Sequence, residues 1–97
     1  MVATGTRSTE HPHIVRTPGT CGGRARIDGT RITVWLVVTW VVRGGLSPEE
    51  FVEQYPGVTL AQVHDALSFY YDHQDEIHRD LRDQGLAWRA KKPRRSR

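Results

Sequence analysis

Cysteine is almost missing from this chain: Cys21 stands alone among 97 residues. A lone cysteine excludes an internal disulfide, offers no thiolate cluster for a metal, and fits a reduced, cytoplasmic compartment. Long apolar runs are missing too. The longest, residues 34–42 with Thr39 inside it, falls far short of the ~20 residues that a membrane span requires. The opening "MVATGTRSTEHPH" has no apolar core of signal-peptide type. The expectation is one soluble domain with loose ends. Charge is unevenly divided along the chain. Residues 86–97 hold six Lys+Arg and no acid (+6), whereas residues 1–85 hold eight Lys+Arg and eleven Asp+Glu (−3), which together give the net +3. A mildly acidic body with a basic tail suggests an interaction tail, not a uniformly basic surface.

Catalytic patterns are lacking as well. The stretch "CGGRARIDGTRITVW", residues 21–35, is glycine-rich and basic, yet it has neither the Gly-Lys-Ser/Thr ending of a phosphate loop nor a G-x-G-x-x-G. His11 and His13 fall in a polar N-terminus without periodicity. His64, His73 and His78 are nine and five apart, so they do not form the i, i+4 pair of a helical zinc site. Cys21 lies in a glycine-rich loop with nothing in the sequence to activate it as a nucleophile, and Glu49, Glu50 and Glu53 read as helix-start and surface charges. The expectation is a protein that is not an enzyme and uses no cofactor or metal.

What is present is a set of local signals. Residues 1–12 read as disordered, residues 13–85 as a hairpin plus helices, and residues 86–97 as the tail. "HIVRT" suggests a short strand. "RARI" and "TRIT" flank Asp28-Gly29, the pattern of a type I′ hairpin, decorated by Arg24, Arg26 and Arg31. Residues 34–42 are rich in β-branched side chains, but Thr33 is a candidate N-cap and Gly44-Gly45 a stop, which favour helix. Ser47, Pro48 and Glu50 write a capping box with proline in the first turn, ended by Pro56-Gly57. Thr59 caps a segment whose apolar residues Leu60, Val63, Leu67, Tyr70, Ile77 and Leu81 share one stripe, predicting one helix of about 25 residues. The whole predicts a mainly α fold: a short N-terminal β-hairpin, then a trihelical helix-turn-helix with an extended third helix.

The motifs Cys-Gly-Gly-x-x-x-Ile-x-Gly-Thr-Arg-Ile (residues 21–32), Gly-Leu-Ser-Pro-Glu-Glu (45–50) and Tyr-Pro-Gly-Val-Thr (55–59) occur in that order. In them the chain resembles the bacterial and archaeal domain-of-unknown-function family 433. The resemblance implies a homeodomain-like fold and a VapB-type antitoxin that silences a PIN-like ribonuclease toxin. It also implies that the antitoxin binds its operon's DNA as a homodimer. On that reading, Thr59, Gln62 and His64 approach the groove, while Arg24, Arg26 and Arg31 meet phosphates. Trp35, Val38 and Trp40 form the dimer contact. Residues 77–97 wrap the toxin through Ile77, Leu81, Leu86 and Trp88, with Arg89 or Arg94 pairing with its metal-binding carboxylates. The alternative is a standalone DNA-binding regulator whose tail grips phosphates.

Overall fold

In the computed structural model, which describes residues 5–85, three short strands form an antiparallel sheet in chain order. They are β1 (Arg7–Ser8), β2 (Ile14–Arg16) and β3 (Arg26–Ile27). β2 lies in the middle, with Arg7 opposite Arg16 on one side and Ile14 opposite Ile27 on the other. Ile14 and Ile27 are both fully buried, so this pair ties the sheet to the helical core. Disorder was the expectation for residues 1–12, and residues 5–12 correct it; residues 1–4 lie outside the described residues. The order there comes from polar bonds, to which apolar periodicity is blind. The Thr9 hydroxyl donates to the carbonyls of His11 (3.0 Å) and Ile14 (2.7 Å).

The Asp28-Gly29 turn is present in another form. Thr30 N–H donates to the Ile27 carbonyl (3.1 Å) and Ile27 N–H to that of Ile32 (2.8 Å). Of the two central residues only Gly29 has a positive φ, +82°, which is the type II pattern and not type I′. The returning arm pairs at a single bridge, Thr33 opposite Arg26. It goes no further because Thr33 leaves the sheet to cap a helix, its hydroxyl accepting from Leu36 N–H (3.2 Å).

Residues 34–42 are helical, as their flanks favour and the family resemblance implies against their β-branched composition, but the winding changes along the way. α1 (Val34–Val37) runs straight into a π-helical stretch, Val38–Arg43. Where the winding widens, the Thr39 hydroxyl donates to the Trp35 carbonyl (2.8 Å), a bond that competes with the α ladder. Gly44 and Gly45, the latter at φ +82°, end the helix.

α2 (Pro48–Gln54) and α3 (Leu60–Asp72) start as their sequences dictate, each with a reciprocal capping box: Ser47 with Glu50, and Thr59 with Gln62. The predicted long third helix is corrected. At His73 (φ −135°, ψ 47°) the helix breaks, and α4 (Gln74–Asp83) begins one residue later and turns back onto α1. The cause is tertiary: Ile77 and Leu81 become fully buried, which a straight continuation would leave in water. They join Ile14, Ile27, Val34, Val37, Val38, Phe51, Val63, Ala66 and Phe69 in one core. Among the described residues no helix is long and apolar enough to cross a membrane.

Candidate functional site

The arginines expected on phosphates meet different fates. Arg26 is buried at 8% exposure. Its guanidinium donates to the Thr30 carbonyl (2.9 Å) and to Thr17 Oγ1 (2.7 Å), bridging the Asp28-Gly29 turn to the end of β2. It is a structural residue, and its expected phosphate contact is corrected. Arg24 lies over Gly22, where any Cβ would collide with its guanidinium, and it reaches Asp83 (3.3 Å) and Asp80 (3.6 Å) on α4. Arg31 alone of the three is exposed without a side-chain partner among the described residues. With Cys21, Arg24, Thr33, Trp35, Leu36 and Gln84 it lines an open cavity of about 370 Å³. Arg26→Ala should therefore destabilise the chain by about 1.5–3 kcal/mol, the range for hydrogen bonds to a charged group. Arg31→Ala should stay within about 0.5 kcal/mol of the parent. Urea melts of the two variants check this.

Asp80, the partner of Arg24, is nearly buried, and its Oδ2 has no hydrogen-bond partner among the described residues. Burial first, then nearby Glu76, push its carboxyl up to about 6 against the pull of Arg24. An acid whose pKa rises on folding holds its proton better in the folded state, so stability falls as pH climbs from about 4 through about 6. Asp80→Asn removes that loss. Its gain in stability should be larger at about pH 7.5 than at about pH 4, by on the order of 1–2 kcal/mol. Thermal melts at the two pH values measure it, and equal gains at both would contradict it.

On α3, the side chains of Thr59 and Gln62 are engaged by the capping box (Gln62 N–H to Thr59 Oγ1 3.1 Å; Thr59 N–H to Gln62 Oε1 2.8 Å). His64 is exposed. Of the expected dimer contact, Trp40 is 44% exposed beside Gly44, Leu46, Gln54 and Tyr55, and Trp35 is half-buried against the core. Val38 is fully buried inside this chain; its place in an interface is corrected. Ile77 and Leu81 are likewise core residues and not free anchors. Leu86, Trp88, Arg89 and Arg94 lie outside the described residues.

The sequence pattern misses a cluster where α3 meets α4. His11 is 8% exposed and sits between two carboxylates, with Nδ1 3.1 Å from Asp65 Oδ1 and Nε2 2.8 Å from Asp72 Oδ2. Burial lowers its pKa, but the bonds to Asp72 and Asp65 outweigh burial and leave it raised. Asp65 Oδ2 accepts the His13 N–H (2.8 Å), so Asp65 faces inward, not toward a groove. Glu10 meets His73, and that hydrogen bond lowers the Glu10 pKa. Arg16 grips Glu76 with two bonds (2.7 and 3.1 Å) and lies over the Phe69 ring. Glu10, His11 and Asp72 bring three potential metal ligand atoms within 4.8 Å of one another. The one hint in the sequence is Asp65 and Asp72, seven apart and hence on one helix face; nothing marks His11 as their partner.

The model of the family described as "Protein of unknown function (DUF433)" matches residues 14–70, more than half of the chain. The chain belongs to the DUF433 family. The crystal structure of a DUF433 member protein from Anabaena variabilis ATCC 29413, at 2.00 Å resolution, is 37% identical and superposes with a TM-score of 0.67, covering 72% of this chain and 68% of that one. No curated protein matches the sequence. The DUF433 match takes in β2, the Cys21-to-Ile32 motif, the first two helical segments and nearly all of α3. Glu10, His11, Asp72, His73 and α4 fall outside it.

Proposed function

We propose that the chain is a VapB-type antitoxin: a non-enzymatic protein whose homeodomain-like body binds operator DNA as a homodimer and whose basic tail engages a PIN-like ribonuclease toxin. The observation that carries this reading is the division of positive charge. Inside the body Arg16, Arg24 and Arg26 are all committed to internal partners, whereas residues 86–97 concentrate six Lys+Arg without an acid. A tail arginine such as Arg89 or Arg94 suits a bidentate grip on the toxin's carboxylates, and Leu86 and Trp88 supply apolar anchors. α2 and α3 are joined by residues 55–59, a short link of helix-turn-helix type. α3 turns Ala61, His64 and Ser68 outward. The exposed Trp40 edge offers a patch for a two-fold contact.

The test is co-expression of the tagged chain with its neighbouring genes, then pull-down and mass spectrometry. A stoichiometric nuclease-like protein, inhibited by the full chain and released when residues 86–97 are deleted, is the expected result. Inhibition undiminished by the deletion rejects the tail's role. A chain that purifies alone or only with nucleic acid, with binding that falls steeply with salt, favours the standalone DNA-binding regulator, which the α2–α3 link also supports.

A further inference from the structure

Two segments distant in sequence, one at Glu10-His11 and one at Asp72-His73, meet at the α3–α4 joint, and the side chains they bring are metal ligands. We propose that Glu10, His11 and Asp72 bind a divalent transition-metal ion of zinc type, the fourth position falling to water or to His73. Their donor atoms already lie within 4.8 Å of one another, and a tetrahedral ion with bonds of ~2.0–2.2 Å draws its ligands to roughly 3.3 Å apart. Seating the ion thus needs only small shifts of two exposed carboxylates, Asp72 Oδ2 moving outward from its 2.8 Å contact with Nε2, while the buried histidine stays in place.

His11 is oriented for this task. Asp65 Oδ1 holds Nδ1 at 3.1 Å, and Asp65 is itself fixed by the His13 N–H. A carboxylate behind one imidazole nitrogen is the usual outer partner of a metal-bound histidine, and it leaves Nε2 to the ion, pointing at Asp72 Oδ2, 2.8 Å away. The Phe69 ring packs nearly perpendicular to the imidazole, with centroids 5.5 Å apart, so the ligand is held before the ion arrives. Charge favours a cation as well. Asp65 stands behind the imidazole, Asp72 and Glu10 lie in front of it, and the neighbouring cation Arg16 is already bound to Glu76. An open cavity of about 340 Å³ borders the site at Asp72 and His73. The imidazole in the set selects a zinc-type ion over magnesium or calcium, which prefer all-oxygen shells. In binding, the ion takes the place of the proton at His11 Nε2, which leaves to solvent.

Calorimetric titration of the full, metal-stripped chain with Zn²⁺ tests the site. One ion per chain is expected. Glu10→Gln with Asp72→Asn should weaken binding by at least ~100-fold, and Asp65→Asn by ~10–100-fold, the usual effect of losing an outer partner. Cys21→Ser and His64→Ala should bind as the parent does. The carboxamides keep size and hydrogen-bonding capacity, and circular dichroism verifies that each variant is folded. If the Asp72 change unfolds the chain, Glu10→Gln alone, at an exposed position, carries the test. No uptake by the folded parent, or equal uptake by the Glu10 and Asp72 variants, overturns the proposal.

Discussion

Ile77→Ala and Leu81→Ala should each destabilise the free chain by about 2–5 kcal/mol, the range for emptying a buried aliphatic site. Against a total of roughly 5–15 kcal/mol for a domain, either change removes a large share. At about 4–8 °C per kcal/mol for a chain of this size, the melting temperature should fall by ten degrees or more. Both side chains are fully buried between α4, α1 and α3, so truncation leaves a cavity that the rigid helices close only in part. Thermal melts of the isolated chain decide between two roles for these residues. An anchor reserved for a partner protein would leave the free chain's melting point unchanged and would weaken only the complex.

The second large effect falls on Phe69→Ala, at about 3–5 kcal/mol. Phe69 does more than fill the core. The His73 ring stacks on it (centroids 4.3 Å), the His11 ring meets it edge-on, and the Arg16 guanidinium lies 5.3 Å above its centre. Three side chains that hold the N-terminal segment thus share one aromatic platform. Its removal should speed amide hydrogen exchange at His13, whose N–H is bonded to Asp65, more than at Ala66, buried in the middle of α3. Uniform acceleration across both amides would mean that the segment and the helix open together.

Capping is local chemistry, and it was legible. Thr33, Ser47 and Thr59 each bond a backbone N–H three residues on, and their helices start where those residues predict. DUF433 membership was legible for the same reason: its motifs are short turns and helix starts. Two things were hidden. Residue type suggests that Arg26, on a short strand, faces water. Its burial depends on Thr17, which reaches it only once the sheet has formed. The break at His73 carries no glycine or proline. The apolar stripe runs on through it, and partners from the chain's far end and the buried seat for Ile77 and Leu81 make the bend. Even within α3 the stripe is rotated from its simplest reading: Ala66 and Phe69 are fully buried, while Leu60 is 37% exposed. Of the candidate site, the two aspartates lay in plain view, but the histidine between them did not.

The N-terminal clasp has a consequence for how the chain is born. Its bonds join partners 52 to 63 residues apart. On a ribosome adding about 5–20 residues per second, the Glu10–His13 segment waits several seconds for Asp65, Asp72 and His73 to be made. Until then, the hairpin and the first helices can assemble from neighbours close in sequence. The stitch that bends α3 into α4 is among the last to be drawn, when nearly the whole body has left the tunnel, and a chain stalled before residue 65 has both carboxylate partners of the His11 ring still unmade.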